Sequence, residues 1–473
     1  MDWQTPRRTK IVCTIGPASS SPIMLERLVR AGMNVARLNL SHGSLEQHAS
    51  YVAAVRELAE RLETPVAVLL DLPGPKFRVG ALRDGAVALA AGAEVWLVAA
   101  KEQTGAADIP VAPPTLAANV KAGDLVLLDD GLIQMRVESA QGTRVAGRVT
   151  VGGKLVSGRG VVMPGMRFSG PYLTPELRAH VEFAVEQAPE FVALSFVSTA
   201  GDVADVDALM RERGCDAPLI AKIERGQAVE DFDAILLASA GIMVARGDLG
   251  VDIPLPRLPL VQKDIIRKCR HAGKPVITAT QMLDSMTNAP WPTRAEVTDV
   301  SNAIFDGTDA LMLSGETSIG KYPIEAVSMM AQIALETETA LPEGLSLAEE
   351  IELERATEEA ISFDAVRTAR QLGAAAIVAF TRSGSTARRV CKYRPRLPIL
   401  ALTFSEAVAR RLLLSWGVEP VCVGEPRSVD ELFDLGARIA RVKGLARPGD
   451  MVVITGGAPV GADTNLLKVQ RVE

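Results

Sequence analysis

The sequence has little cysteine, few aromatic residues and no excess of positive charge. Its five cysteines are spread over 473 residues without a Cys-x-x-Cys pair, which argues against a disulfide framework or a zinc knuckle. Lysine and arginine number 51 against 57 acidic residues, so a nucleic-acid or anionic-membrane surface is not expected. No apolar run reaches the length of about 18 residues that a membrane-spanning helix needs, and residues 1–10 lack a signal core. We expect a soluble, cytoplasmic, multidomain protein with reduced thiols.

Eight short apolar runs, each ending in polar or glycine residues, organise the chain up to residue 341. They are Lys10–Ile15, Asn34–Leu40, Val66–Leu72, Phe191–Val197, Leu219–Glu224, Gly241–Asp248, Pro275–Gln281 and Ala310–Glu316. The segments between them mostly show helical periodicity, and Thr293 followed by Glu296 is a candidate capping box. With only 4% aromatic residues, this alternation predicts an α/β protein built on a (β/α)₈ TIM barrel.

Two parts of the chain break this rhythm. Residues 72–166 contain short strand-like pieces separated by Gly, Asp and Pro, which predicts a small all-β domain inserted after strand three. The pieces are Val87–Leu89, Glu94–Val98, Leu125–Leu128, Ile133–Val137 and Arg144–Val149. A boundary rich in Pro, Gly and acidic residues lies near Leu341–Glu350. Beyond it, strand-like runs alternate with helices, so we predict a C-terminal three-layer α/β domain over residues 342–473. The barrel then comprises residues 1–71 and 167–341.

Polar side chains gather where the predicted barrel strands end, which is where barrels of this type carry their sites. They are Arg37, Asn39, Ser41, Asp71, Lys222, Glu224, Asp248 and Thr280. Because alternate residues of a strand share a face, Lys222 and Glu224 should point the same way. Two carboxylates from neighbouring strands, Glu224 and Asp248, suit a hard cation such as Mg²⁺ or Mn²⁺.

Basic groups beside such a metal suit a phosphate or carboxylate substrate. Phosphoryl transfer in particular depends on positioning and charge neutralisation, which a divalent ion, a lysine and an arginine supply together. A purely structural interpretation of these residues is the alternative. A lone Lys-x-Glu is more often a solvated salt bridge, and Asp71 could equally cap a turn or a helix.

Longer motifs follow one another in a fixed order. They are KIVCTIGP (Lys10–Pro17), GMNVARLNLSHG (Gly32–Gly43), FVALSFV (Phe191–Val197), IAKIE (Ile220–Glu224), GIMVARGDLGV (Gly241–Val251), ITATQML (Ile277–Leu283) and Pro292–Pro323. With them the chain resembles pyruvate kinase over nearly its whole length. The resemblance implies a barrel, a lid-like β domain and a C-terminal α/β domain. It implies transfer of the phosphoryl group of phosphoenolpyruvate to ADP, giving pyruvate and ATP in the last step of glycolysis. It also implies Mg²⁺ or Mn²⁺, usually K⁺, and a homotetramer.

The resemblance also implies roles for single residues. Lys222 would stabilise the transferring phosphoryl group, and Glu224 and Asp248 would bind the metal. Arg37 would clamp a phosphate. The backbone around Gly247 and Asp248, with Thr280, would form the substrate pocket, where either Thr280 or a water gives a proton to the enolate.

Two arginines of the inserted domain resemble nucleotide contacts of the family. Arg78 would contact a phosphate of ADP or ATP. Arg159 stands where the family commonly has a nucleotide-binding lysine, so it keeps the charge but not the geometry of that contact.

One departure from the family concerns the monovalent cation. The family's K⁺ site maps to Asn39, Ser41, Asp71 and Leu72, and Leu72 replaces the usual threonine. K⁺-dependent members typically carry glutamate where this chain has Lys76. An ammonium there supplies a fixed positive charge near the phosphates, so we predict that K⁺ is not required. In the alternative, Lys76 faces solvent and K⁺ still binds.

A hydroxyl-rich turn in the C-terminal domain is a candidate phosphate cradle, since it lies between a strand and a helix start. Its residues are Thr381, Arg382, Ser383, Gly384, Ser385 and Thr386. In the family a similar loop holds the phosphate of a sugar-phosphate effector, whereas a plain capped turn is an equal alternative. The loop Thr455–Asn465 lacks the large aromatic residue of some fructose-bisphosphate-regulated members. The effector, a sugar phosphate or a nucleotide, therefore stays open.

Two other classes of function are alternatives to this prediction. One is a different metal-dependent barrel enzyme acting on phosphoenolpyruvate or a 2-oxo acid, which has no need of an inserted lid or of Arg78. The other is an effector-sensing protein without catalysis, against which the retained site residues argue. These are Lys222, Glu224, Asp248 and Thr280.

Overall fold

The computed structural model describes residues 7–105, 107–113, 116–168, 170–341 and 356–473. The strands up to residue 162 are β1 (Lys10–Thr14), β2 (Val35–Asn39), β3 (Ala67–Leu72), β4 (Phe77–Val79), β5 (Ala86–Leu89), β6 (Glu94–Ala99), β7 (Asp108–Ala112), β8 (Leu125–Leu128), β9 (Ile133–Gln141), β10 (Arg144–Val151), β11 (Gly153–Val156) and β12 (Gly160–Val162). The later strands are β13 (Phe191–Leu194), β14 (Leu219–Ile223), β15 (Gly241–Ala245), β16 (Val276–Ala279), β17 (Ala310–Leu313), β18 (Ala376–Phe380), β19 (Ile399–Thr403), β20 (Val418–Cys422), β21 (Met451–Gly456) and β22 (Leu466–Arg471).

Helices alternate with the barrel strands and with those of the C-terminal sheet. The longer ones are α1 (Pro22–Ala31), α2 (Leu45–Arg61), α3 (Pro175–Gln187), α4 (Ala200–Glu212), α5 (Gly226–Glu230), α6 (Phe232–Ala238), α7 (Arg246–Asp252), α8 (Leu258–His271), α9 (Arg294–Asp306), α10 (Gly315–Ser318), α11 (Pro323–Thr339), α12 (Thr357–Leu372), α13 (Ser385–Lys392), α14 (Glu406–Arg411) and α15 (Val429–Val442). The predicted boundary near Leu341–Glu350 lies almost wholly outside the described residues. Among the helices within those described ranges, none is long and apolar enough to cross a membrane.

Eight strands close into a parallel barrel in the order β1-β17-β16-β15-β14-β13-β3-β2. Each of the eight predicted apolar runs contains one of these strands, so the predicted TIM barrel is confirmed. The strands read as continuous apolar runs because parallel strands are buried on both faces. The capping box at the start of α9 is also confirmed. The Thr293 hydroxyl accepts the Glu296 N–H at 3.2 Å, and the Glu296 carboxylate accepts the Thr293 N–H at 2.7 Å.

Several predicted strand ends are wrong, and the errors bear on the site. Strand β15 ends at Ala245, and α7 begins at Arg246, so Asp248 lies in the first turn of a helix. A carboxylate is favourable there because the N-terminus of a helix carries a partial positive charge. Strand β2 likewise ends at Asn39, and Ser41 belongs to the turn that follows it.

The inserted segment is all-β, as predicted. Seven of its strands close into a second barrel in the order β10-β6-β7-β4-β12-β8-β9, and β5 pairs with β11. Its core is formed by apolar side chains such as Phe77, Leu97 and Met135. Strands β4, β7, β11 and β12 are missing from the prediction. They are short, and β7 contains Pro110 while β11 and β12 begin with glycine, so none gives a clear alternating pattern.

The C-terminal sheet has the strand order β20-β19-β18-β21-β22, in which only the edge strand β22 is antiparallel. Ile377 and Ala379 of β18 pack in the core that contains side chains of α12 and α13. The alternate residues Val378 and Phe380 pack in the core that contains side chains of α15. Helices therefore cover both faces, and the three-layer α/β prediction is confirmed.

The chain forms two compact units, which are described separately below. Unit 1 comprises Met1–Leu70, Gln187–Val192 and Ile266–Glu473, and unit 2 comprises Asp71–Glu186 and Ala193–Ile265. Unit 2 contains the inserted β domain together with β14, β15 and α7. Unit 1 contains β1, β2, β16, β17 and the C-terminal sheet.

Candidate active site

In unit 2, the centre of the candidate site is the buried ammonium group of Lys222 on β14. Its Nζ donates to Ser195 Oγ at 2.7 Å and forms ion pairs with Asp71 Oδ1 at 3.1 Å and Glu224 Oε1 at 3.0 Å. The Ser195 hydroxyl in turn donates to Asp71 Oδ1 at 3.0 Å. Lys222 and Glu224 thus point to the same side of the strand, as the alternation predicts.

Glu224 is a buried carboxylate directly after the end of β14. Besides its ion pair with Lys222, it accepts the Phe196 N–H at 2.6 Å. Burial, together with the negative charges of Asp248 and Asp71, raises the pKa of Glu224, and the Lys222 ammonium opposes that rise. A further positive charge beside this carboxylate would therefore stabilise its ionised form.

Lys76 brings a second ammonium group to this cluster. Its Nζ forms an ion pair with Asp248 Oδ1 at 2.5 Å, and the side-chain exposures of Lys76 and Asp248 are 12% and 29%. The same ammonium lies 5.1 Å from the ring centroid of Phe196. Lys76 therefore does not simply face solvent. We call Asp71, Lys76, Lys222, Glu224 and Asp248 the lysine–carboxylate cluster.

The donor chemistry of the cluster fits a hard divalent cation. Glu224 and Asp248 offer carboxylate oxygens, the ligands that Mg²⁺ and Mn²⁺ prefer, and these ions take their remaining ligands from water and substrate phosphates. Three carboxylates face two ammonium groups, so the cluster carries an excess of one negative charge. Within the described ranges, no set of three or more His, Cys, Asp or Glu side chains is arranged to hold a metal.

Two residues of the predicted monovalent-cation site also lie in unit 2. Asp71 is fully buried and belongs to the cluster. Leu72 ends β3, and its carbonyl oxygen accepts the Ser195 N–H at 3.3 Å. The sequence did not identify Ser195, which the structure places against both Lys222 and Asp71. Its only signal is a lone hydroxyl residue in the apolar run Phe191–Val197.

In unit 1, Arg37 and Thr280 stand at or near the ends of β2 and β16. Arg37 is buried, and its guanidinium donates to Thr14 Oγ1 at 2.8 Å. Thr280 has φ +66° and Gln281 has φ +53°, so two consecutive non-glycine residues adopt the left-handed conformation. Such conformations are costly for L-residues and cluster at functional sites. Asn39, the last residue of β2, accepts the Ser41 N–H at 3.2 Å.

Arg78 and Arg159, the predicted nucleotide contacts, lie in the inserted domain of unit 2. Arg78 on β4 is exposed and donates to the carbonyl of Gly158 at 3.2 Å. Arg159 precedes β12, is exposed, and forms an ion pair with Asp129 at 3.2 Å. Gly247, also in unit 2, lies beside Asp248 in the first turn of α7.

The predicted effector loop, residues 381–386 of unit 1, lies between β18 and α13. Thr381 Oγ1 accepts the Gly384 N–H at 2.9 Å, and Gly384 has φ +86°, a conformation that suits glycine. The hydroxyls of Ser383 and Ser385 lie 3.1 Å apart. The hydroxyls of Thr386 and Thr464 are hydrogen-bonded at 2.7 Å. The exposed guanidinium of Arg382 forms an ion pair with Glu425 at 3.0 Å.

Two family models match most of the chain. "Pyruvate kinase, barrel domain" matches residues 6–327, and "Pyruvate kinase, alpha/beta domain" matches residues 359–470. A pyruvate kinase of Geobacillus stearothermophilus is 47% identical over 470 residues, covering 98% of this chain and 80% of the relative. A pyruvate kinase of Staphylococcus aureus strain MRSA252 is 43% identical over 472 residues with the same coverage. The chain belongs to the pyruvate kinase family of phosphotransferases.

Proposed function

We propose that this enzyme transfers the phosphoryl group of phosphoenolpyruvate to ADP in the cytoplasm, and that it does so without K⁺. The lysine–carboxylate cluster is the observation that supports this proposal most directly. It combines a buried ammonium with two carboxylates of the kind that bind Mg²⁺ or Mn²⁺. A bound divalent ion supplies charge neutralisation for the phosphates, and the residues of the chain supply the positioning.

Lys222 is proposed to stabilise the negative charge of the phosphoryl group during transfer. Its ammonium is held by Ser195 and Asp71, so it needs no reorganisation as charge develops. Glu224 and Asp248 are proposed to hold the metal. Arg37 is proposed as a phosphate clamp. Replacing Lys222 by methionine should lower kcat by at least about 10²-fold, the usual cost of removing one preorganised donor.

Transfer leaves an enolate, which must gain a proton to become pyruvate. We propose that Thr280 and the backbone around Gly247 serve this step. The Thr280 hydroxyl donates to the carbonyl oxygen of Ala279 at 2.6 Å, and this hydrogen bond fixes the direction of the hydroxyl proton. Since the enol is unstable relative to pyruvate, its protonation drives the overall reaction forward.

The inserted domain, residues 72–166, is proposed to act as the lid of the barrel formed by residues 1–71 and 167–341. Arg78 and Arg159 are proposed to contact the nucleotide phosphates from the lid. Closure of such a lid excludes water and so prevents hydrolysis of phosphoenolpyruvate.

Independence of K⁺ is proposed to follow from Lys76. Its ammonium supplies a fixed positive charge at Asp248, the kind of charge that a bound monovalent cation supplies in other members of the family. The short ion pair and the low exposure of Lys76 support this role.

We further propose a homotetramer that is regulated through the C-terminal domain, residues 342–473. The loop 381–386 presents hydroxyls and the N–H groups of a helix start, which suit a phosphate group. A sugar phosphate or a nucleotide would supply that phosphate. Light scattering of the purified protein, with and without such effectors, tests the assembly.

The decisive experiment measures pyruvate formation from phosphoenolpyruvate, ADP and Mg²⁺ in potassium-free buffer, and then with KCl added. High activity without K⁺ supports both the reaction and the role of Lys76. Activity only with K⁺ retains the reaction and rejects that role. Pyruvate formation that does not depend on ADP indicates a different phosphoenolpyruvate enzyme, and effector binding without turnover indicates a sensing protein.

A further inference from the structure

Two short connectors join the strands of the lid to the remainder of unit 2. The first connector, residues 73–76, runs from the end of β3 to β4, and the second connector, residues 163–168, follows β12. At Gly74 a Cβ atom would lie 1.9 Å from the carbonyl oxygen of Ser195. The backbone of the first connector therefore lies directly on the backbone that follows β13, where no side chain fits.

Arg225, which follows Glu224, contacts both connectors. Its Nη2 donates to the carbonyl of Pro75 in the first connector. Its guanidinium also lies over the ring of Phe168 in the second connector, 4.6 Å from the ring centroid. The Phe168 N–H donates to Gln227 Oε1 at 3.0 Å, which holds the same connector against the start of α5. One side chain thus links both connectors to the end of β14.

Phe196 extends this contact to the lysine–carboxylate cluster. Its ring lies 5.4 Å from the guanidinium of Arg225 and 5.1 Å from the ammonium of Lys76. Phe196 has φ +57°, a left-handed conformation that costs free energy, and its N–H donates to Glu224. Arg225 also donates to Ser198 Oγ at 2.8 Å, two residues further along. The surroundings therefore hold Phe196 in this conformation from both sides.

We propose that Arg225 is a positioning residue that pins both lid connectors to β14 and thereby holds the Lys76 ammonium on Asp248. The inference rests on the proposed role of the cluster in catalysis. Arginine suits the position because its guanidinium is planar and forked. It stacks on Phe168 while donating to Pro75 and Ser198, whereas a lysine has no flat face and only a point charge. Asp252 lies close enough to favour the charged guanidinium, although burial lowers the pKa of Arg225.

The test compares Arg225→Lys, Arg225→Gln and Phe168→Leu with the wild-type enzyme. Arg167→Gln is the matched control, because Arg167 lies in the second connector but its guanidinium forms an ion pair with the exposed Glu230, at 2.6 Å. Measurements are KM for ADP and for phosphoenolpyruvate, kcat with and without K⁺, and hydrogen exchange of the peptides that span both connectors. Thermal unfolding checks that each variant is folded.

For Arg225→Lys we expect KM for ADP to rise on the order of tenfold, because two hydrogen bonds and two cation–π contacts are weakened. KM for phosphoenolpyruvate should stay within about twofold, since Lys222 is not moved. Amide exchange of both connectors should rise, and added K⁺ should stimulate the variant more than the wild type. A purely structural role would not create that K⁺ response. Phe168→Leu should change the same quantities in the same direction.

Wild-type values of KM for ADP, K⁺ response and connector exchange in both Arg225→Lys and Phe168→Leu would overturn the inference. If Arg225→Lys does not fold, Phe168→Leu alone decides. An inactive wild-type protein would overturn the proposed function instead. The exchange measurements would then still report whether Arg225 pins the connectors.

Discussion

Lys76→Glu is the substitution that most directly tests the role of the second ammonium group. It replaces the positive charge beside Asp248 by a negative one, in an ion pair whose members are mostly buried. The cluster then changes from an excess of one negative charge to an excess of three. We expect the variant to need an added monovalent cation for activity.

The size of the effect follows from the lost ion pair. The two charged atoms lie 2.5 Å apart, and a hydrogen bond to a charged group contributes about 1.5–3 kcal/mol. Since about 1.4 kcal/mol corresponds to a factor of ten, kcat/KM in potassium-free buffer should fall about 10- to 100-fold. Added K⁺ should restore most of this loss, whereas Na⁺ and Li⁺ at the same ionic strength should restore less, because they are smaller and more strongly hydrated.

Lys154→Glu is the control for this experiment, since Lys154 is exposed on β11 of the same domain and the substitution changes the net charge equally. It should behave like the wild type with and without K⁺. The reasoning fails if Lys76→Glu remains fully active without K⁺, or if Lys154→Glu gains the same K⁺ dependence.

Three further predictions concern other parts of the chain. Burial lowers the pKa of Lys10 to about 8, so the unfolded chain binds more protons between pH 8 and the ordinary lysine pKa, and stability should rise with pH across that window. Lys10→Met should raise the thermal unfolding temperature at pH 7. It should also abolish the increase in stability with pH across that window. Asp309→Ala leaves the buried guanidinium of Arg394 without its carboxylate. Urea unfolding should therefore show that the free energy of unfolding falls by about 3–5 kcal/mol. Asp207→Ala, in the exposed pair with Arg211, should cost less than about 1 kcal/mol. Ser383→Ala should weaken any response to ribose 5-phosphate or AMP by about tenfold without changing basal kcat; an unchanged response would remove the loop 381–386 as the effector site.

The barrel could be predicted from the sequence because its strands are buried on both faces and appear as uninterrupted apolar runs. The inner strands β18 and β19 of the C-terminal sheet are likewise buried along their whole length. Strand β7 was missed because Pro110 interrupts its apolar pattern. Its pairing with β6 stabilises the strand in spite of that weak local pattern. Short strands of this kind are stabilised by their neighbours, which a local pattern does not contain.

The candidate site shows a similar division. Lys222 and Glu224 could be predicted to share a face because two residues on one strand obey a simple alternation. The contact between Lys76 and Asp248 joins residues 172 positions apart, so no local spacing indicates it. Asp248 was placed on a strand because the apolar run leads directly into it, whereas the chain turns into α7 at Arg246. Arg225 gave no signal, since its partners come from three separate loops.

The left-handed pair Thr280–Gln281 at the end of β16 implies a conflict between stability and activity. A residue held in this conformation costs about 1–3 kcal/mol, and glycine would remove most of that cost. Glycine at position 280 would also remove the hydroxyl proposed to serve the enolate. Selection for thermal stability alone would therefore favour a residue at position 280 that selection for turnover rejects.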